Sequence, residues 1–171
     1  RPIGRDAELS LALNAEERLF VYRRFQDYSK QHSFPIIDLF NSGHKAFGCV
    51  GGGDGYLHIN AAGDVEPCAF CHYSDANIND MTLKQALQSP FLRAFRREKP
   101  FSPNPFAPCP VYDVPQAMVN LCRETGARST HTVCPESAEE NAEKLFGISA
   151  EWNELTGSEK LWNSSKEQKR H

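Results

Sequence analysis

Gly43, Gly48, Gly51, Gly52, Gly53 and Gly55 bracket a single cysteine, Cys49. A segment so rich in glycine loses too much backbone entropy to form the interior of a helix or strand, so Cys49 sits in a loop. The residues that follow, Tyr56-Leu57-His58-Ile59-Asn60, alternate in polarity, Ala61-Ala62-Gly63-Asp64 supplies turn chemistry, and Val65-Glu66 returns as a second strand. The pattern predicts a β-hairpin. With pairing centred near residue 62, Cys68 lies opposite the start of the first strand, a short glycine loop away from Cys49. The local chain thus brings two distant thiols to one end of the hairpin.

Metal and iron–sulfur sites need several thiolates arriving from separate segments, because one short stretch does not wrap an ion. Cys49, Cys68 and Cys109 meet that need, each in a loop or at an element end next to Gly or Pro. There the backbone can come close to a cluster and turn its N–H groups toward the sulfurs. Cys71 follows Cys68 at a two-residue spacing suited to a shared site, and His72 is its rival as a further ligand. For each cysteine the alternative is a small buried hydrophobe, and for His72 a hydrogen-bonded or surface histidine. Cys122 falls on one helical stripe with Val114, Met118 and Leu121, which predicts a core position. Cys134, before Pro135 near a helix start, is a candidate reactive thiol with no partner group in the sequence.

Six cysteines in 171 residues also raise a disulfide framework, but that solution belongs to short secreted chains with poor cores. At 40% hydrophobic residues this chain can bury a core as one domain or a domain plus a fragment. No apolar run approaches the roughly 20 residues needed to span a bilayer, so no membrane association is expected. The start, Arg1-Pro2-Ile3-Gly4, carries neither an initiator Met nor a signal pattern, which predicts a chain that begins inside a longer, cytoplasmic protein. A formal charge of −3 without a sustained basic run gives no footprint for nucleic acid, and Lys166, Lys169 and Arg170 read as a solvated tail.

The flanks read as follows. Asn14 with Glu17 is a capping box, opening a helix to about Gln31 with Val21, Phe25 and Tyr28 on one face. After Pro35, Ile36-Ile37-Asp38-Leu39-Phe40 suits a buried strand, so residues 1–42 look like the tail of an α/β body. Thr82 with Gln85, and Ser89 with Pro90, open two short helices, and the proline-rich run Phe101 to Pro110 is irregular. Asp113 is expected to cap a helix with Pro115 in its first turn and Gly126 past its end. Ser137 with Glu140 starts another helix, and Trp152, Leu155 and Trp162 mark a final helical or irregular segment.

Other constellations are weak. Gly51-Gly52-Gly53-Asp54-Gly55 precedes a strand and lacks the P-loop lysine, so it is rejected as a phosphate loop. His44, His58 and His131 are scattered, and His58, alternating with Leu57 and Ile59, is expected to face solvent or a neighbouring domain. Asp64-x3-Cys68-x2-Cys71 lacks the first cysteine of the Cys-x3-Cys-x2-Cys motif that cleaves S-adenosylmethionine, and Asp64 reads instead as a turn residue.

The order Cys49, Gly63-x4-Cys68, Asn77-Ile78-Asn79-Asp80, Leu83-Lys84-Gln85-Ala86-Leu87-Gln88-Ser89-Pro90 and then Cys109 resembles the C-terminal auxiliary region of radical SAM enzymes, the SPASM or twitch domain. The family's Cys-x(9–15)-Gly-x4-Cys opening is met with a gap of 13. The resemblance covers about residues 43–126, while residues 1–42 resemble the last part of the radical SAM partial barrel and 127–171 form a helical extension. It implies an α+β fold, with a short hairpin among helices and long loops, preceded by a remnant of a partial TIM barrel.

It further implies an auxiliary 4Fe–4S cluster on Cys49, Cys68 and Cys109, with Cys71, another residue such as His72, or an open iron completing it. The longer SPASM pattern continues with Cys-x2-Cys-x5-Cys-x3-Cys, which is absent here, so the single-cluster twitch form fits better. The resemblance places S-adenosylmethionine in a full-length parent only and makes that parent's N-terminal barrel the partner, acting on a small molecule or peptide. In such an oxidoreductase an open iron would bind substrate and a fully ligated cluster would accept an electron. The alternative from another class is a structural zinc module with a protein-interaction role, held by four of the same residues.

Overall fold

The computed structural model describes residues 9–34, 36, 38, 41, 43–46 and 48–157. After a 3₁₀ turn at Leu9–Leu11, helix α1 runs Ala15–Gln31 behind the expected capping box: Asn14 Oδ1 accepts the Glu17 N–H and Glu17 returns a carboxylate to the Asn14 N–H. The buried face of α1 carries Ala15, Arg18, Leu19 and Tyr22. Phe25 and Tyr28, expected to mark the inner stripe, are partly exposed instead. The inner face is set by what α1 packs on, and its most polar member, Arg18, is buried by a partner far along the chain. Of the α/β unit expected over residues 1–42, α1 is the regular element among the described residues; Ile36 and Asp38 have no regular structure, and the rest of the expected strand, like Trp162 and the basic tail, lies outside them.

The short helix α2, Gly43–Ala46, abuts the proline run: a side chain at Gly43 would stand 2.5 Å from Pro108 Cγ. The hairpin follows as β1, His58–Ile59, and β2, Val65–Glu66, antiparallel with His58 opposite Glu66 and Ile59 opposite Val65. This register is centred on residue 62, as the turn chemistry predicts. Gly63 holds a φ of +90° that L side chains rarely adopt, and a Cβ there would lie 2.6 Å from Asn79 Nδ2 and 2.7 Å from Asn77 Oδ1. Both asparagines donate to Ala62 O, so the Asn77-Ile78-Asn79 turn closes over the hairpin tip.

Strand β3, Tyr73–Ser74, pairs with β4, Arg128–Ser129, in a second small antiparallel sheet that the sequence pattern does not announce. Helices α3, Leu83–Ala86, and α4, Pro90–Arg97, start at the Thr82 capping box and the Ser89 cap as expected. Helix α5, Pro115–Thr125, ends at Gly126 in the left-handed conformation, also as expected. Its N-cap is Val114 rather than Asp113, because the Asp113 carboxylate is turned inward to other partners. Helix α6, Ala138–Thr156, opens on the Ser137–Glu140 capping box and packs along α5 and α1.

Three clusters form the core. One surrounds Cys71 with Tyr73, Phe91, Phe95, Val111, Met118 and Leu121, and Cys49, Cys68, Cys109 and Cys122 pack against it. A second joins α1 to Phe106, Ala107 and Trp152, and a third lies under the hairpin at Val65, Ala76, Ala86 and Leu92. The elements are helices and small antiparallel sheets, an α+β arrangement. Among the described residues no helix is long and apolar enough to cross a membrane.

Candidate metal centre

Cys49 is delivered by the glycine loop. The Gly52 N–H bonds Pro67 O at 2.8 Å, stitching the loop to the residue before Cys68. Gly51 lies so close to that strand that a Cβ would meet Pro67 O at 2.8 Å, and one at Gly52 would meet the Phe95 ring at 2.5 Å. A side chain at either position would push the Cys49 and Cys68 segments apart. From α4, Arg96 Nη1 donates to Gly52 O at 2.8 Å, and Lys99 Nζ binds Gly51 O and Asp54 Oδ2. The loop is therefore fixed by side chains that reach its carbonyls, not by a phosphate-binding geometry.

Cys68 follows β2, and Cys71 is drawn back toward it by a turn in which the Cys71 N–H bonds Cys68 O at 3.0 Å. Cys109 ends the proline run. Its N–H donates to Asp113 Oδ2 at 3.0 Å, while its carbonyl accepts the N–H groups of Asp113 at 2.8 Å and Val114 at 3.0 Å. All six cysteines are free thiols, so the disulfide framework rejected at the sequence level is not formed.

Cys49, Cys68 and Cys109 pack against the apolar core that holds Cys71. Burial pushes Cys49, Cys68, Cys71 and Cys109 above the ordinary thiol range. Beyond burial, Cys68 is raised by Cys49, Cys109 by Cys68 and Cys49, and Cys71 by Cys68, Cys109, Cys122 and Cys49. Backbone N–H donors hold the rise back: Gly51 at Cys49, Phe70 and Cys71 at Cys68, and Val111 at Cys109. Each of the three receives an N–H from the residue two positions on. Cys71 differs in being fully buried. The Tyr56 hydroxyl adds a donor to Cys68, and Tyr56 is itself raised by burial and by these thiols. Tyr56 is the residue that the hairpin register, extended by two residues on each strand, sets across from Cys68.

The donor set fits an iron–sulfur cluster. Several thiolates gathered in a buried site repel one another unless cations offset their charge, and metal loading displaces their protons. N–H groups aimed at ligand sulfurs, with glycines that admit the backbone, are the surroundings a cluster requires. Among the described residues no group of three or more His, Cys, Asp or Glu side chains is already placed to hold a metal ion.

The remaining expected residues separate from this group. Cys122 lies half-buried beside the Cys71 core, raised by burial to about 12, as its helical stripe implied. Cys134 is exposed, its N–H bonded to His131 Nδ1 at 3.0 Å. His72 turns toward Glu66 rather than the thiols: its Nδ1 stands 3.6 Å from Glu66 Oε1, its ring meets His131 edge-on at 5.1 Å, and its buried Nε2 has no partner.

Two features escaped the sequence reading. Glu66, fully buried, takes His58 Nδ1 at 2.7 Å, Asn60 Nδ2 at 3.2 Å and the Thr130 hydroxyl. Burial alone would raise this carboxyl, but the hydrogen bonds from His72, Thr130 and His58 outweigh it and hold it below the ordinary range. His58 therefore leans on a buried carboxylate rather than simply facing solvent, and the register centred on residue 62 was the signal, because it pairs these two residues. The second is the ion pair of Arg18 with Asp113, 2.6 Å long and 95 positions apart in sequence, for which no local signal exists.

Residues 49–111 match the family model of the SPASM domain, an iron-sulfur cluster-binding domain. The chain thus carries a SPASM-type domain across the stretch that begins at Cys49 and contains Cys68, Cys71 and Cys109. No curated protein and no solved structure matches the chain.

Proposed function

We propose that this chain is the C-terminal auxiliary part of a radical SAM oxidoreductase and holds one 4Fe–4S cluster on Cys49, Cys68, Cys71 and Cys109. The observation that carries the reading is the grouping of these four thiols, three with an N–H donor two residues on, inside the SPASM match. Cys71 is preferred to His72 as fourth ligand because it perturbs with the other three, whereas His72 is turned to Glu66. Four protein thiolates leave no iron open, so the role assigned is electron transfer after radical abstraction rather than direct substrate binding. S-adenosylmethionine belongs to the parent's N-terminal barrel, which acts in the cytoplasm on a small molecule or peptide.

The test is anaerobic reconstitution of the chain with ferrous iron and sulfide, followed by metal analysis and visible and electron paramagnetic resonance (EPR) spectra. About four iron and four sulfide per chain are expected. One zinc per chain with no iron uptake would replace this reading with the structural zinc module.

A further inference from the structure

We propose that Arg18 and Asp113 act as a positioning pair for the cluster ligand Cys109, fixing its backbone and setting the charge beside the cluster; the proposal rests on the cluster reading above.

The Cys109 peptide is held on both sides by one residue. Asp113 Oδ2 accepts the Cys109 N–H at 3.0 Å, and the Asp113 N–H returns to Cys109 O at 2.8 Å. With Val114 N–H on the same carbonyl, the ligand's backbone is fixed, and its side chain alone is left to adjust. The second carboxylate oxygen, Oδ1, takes Arg18 Nη1 at 2.6 Å, and Arg18 Nε reaches Asn41 Oδ1 at 2.6 Å. Asn41 is fixed in turn by Asp38, through Nδ2 at 2.8 Å and its backbone N–H at 3.1 Å. The guanidinium lies 4.0 Å from the Trp152 ring and 5.4 Å from that of Tyr112. Asn153 on α6 donates to Asp113 O at 2.8 Å, so α1, the ligand loop and α6 all meet at this one aspartate.

A buried ion pair is a poor source of stability, because desolvation of two charges offsets most of their attraction, and an apolar substitute of similar shape does as well. The side chains here are 7% and 0% exposed, so that cost is present in full. Stability alone therefore does not account for the pair. Its geometry does: one carboxylate oxygen of Asp113 accepts the ligand's N–H while the other takes the Arg18 guanidinium, so the anion buried beside the ligand thiols is matched by a cation. The charge of Asp113 is felt at Cys109 and Cys49, so its neutralisation bears on the cluster's redox balance. Both Arg18 and Asp113 lie outside residues 49–111, so the flanking chain completes the ligand environment.

The test uses the full chain, reconstituted with ferrous iron and sulfide, as wild type, Arg18→Met, Arg18→Lys, Asp113→Asn and the Arg18→Met/Asp113→Asn double variant. Iron per folded chain, the EPR spectrum of the reduced cluster, its midpoint potential and thermal melting are read for each. Loss of a buried anion raises the potential in Asp113→Asn, loss of a buried cation lowers it in Arg18→Met, and the double variant returns toward wild type. Arg18→Lys keeps the charge but not the fork, so it preserves the potential while altering the EPR line shape. Should Arg18→Met fail to fold, Asp113→Asn and Arg18→Lys carry the test, since each retains a polar partner for the other residue. A variant that folds yet loses iron supports the positioning role. Unchanged potential and spectrum in every loaded variant, with lowered melting alone, would overturn it. A wild-type chain that takes up no iron and sulfide would overturn the cluster reading and this proposal together, whereas a loaded wild type with unshifted variants removes this proposal alone.

Discussion

Helices α1 and α6 bury apolar side chains such as Leu19, Leu145 and Trp152 behind capping boxes, whereas residues 49–75 contain three two-residue strands joined by turns. In the helical part each added turn brings its own hydrogen bonds. In the thiol-bearing part the chain is held by single contacts, such as Gly52 to Pro67 and Lys99 to Gly51, and the thiols are set into the apolar cluster of Phe91, Phe95, Met118 and Leu121. The difference teaches that the two parts rely on different cores: one around Leu19, Phe106 and Trp152, the other an apolar cluster with four thiols set into it. Metal binding to such a site is also folding free energy for the segments it joins.

The sharpest way to break this comparison is to remove a ligand. Cys68→Ala is expected to abolish cluster loading, seen as loss of iron and visible absorbance, and to leave amides of residues 49–75 exchanging fast while those of α5 and α6 stay protected. Cys122→Ala, which removes a thiol of the neighbouring core, should still load iron. Equal loss in both variants would mean that the thiols act as packing and not as ligands.

A smaller effect is expected from Trp152→Ala. Trp152 is 1% exposed, covers the Arg18 guanidinium and donates Nε1–H to Phe106 O at 2.8 Å. Its truncation should cost about 3–5 kcal/mol in denaturant unfolding. Iron per folded chain should change little if the two cores are separate, and a parallel loss of iron would show that they are one.

The smallest expected effect is at the α6 cap. Ser137 Oγ accepts the Glu140 N–H at 3.1 Å, and Ser137→Ala should cost about 1 kcal/mol with no change in iron content. A shift in the cluster spectrum would extend the coupling beyond the Arg18–Asp113 pair, through the Tyr73 hydroxyl that donates to Ser137 O.

Much of this was legible before any coordinates. The three capping boxes, the left-handed Gly126 and the hairpin register all depend on residues within a few positions of one another, where chain connectivity makes the partner certain. The same register already placed Cys68 by the glycine loop. Less legible was which face of α1 is buried, because Phe25 and Tyr28 are as apolar as Leu19 and Tyr22, and only the position of the Phe106 and Trp152 partners separates them. The β3–β4 sheet escaped for a similar reason: two residues per strand leave no periodicity to read.

Asp113 shows the limit most plainly. Two residues before Pro115 it has the local appearance of a helix cap, yet its carboxylate binds Cys109 on one oxygen and Arg18 on the other. A buried carboxylate takes the partners that best offset its desolvation, and a guanidinium 95 positions away outweighs an N–H available next door. By itself the sequence determined the thiols, the glycines that let their segments approach, and the helix starts, since each rests on local chemistry and spacing. The tertiary structure alone decided which charges stand beside those thiols, because that depends on segments meeting from distant parts of the chain, as Arg18 and Asp113 do.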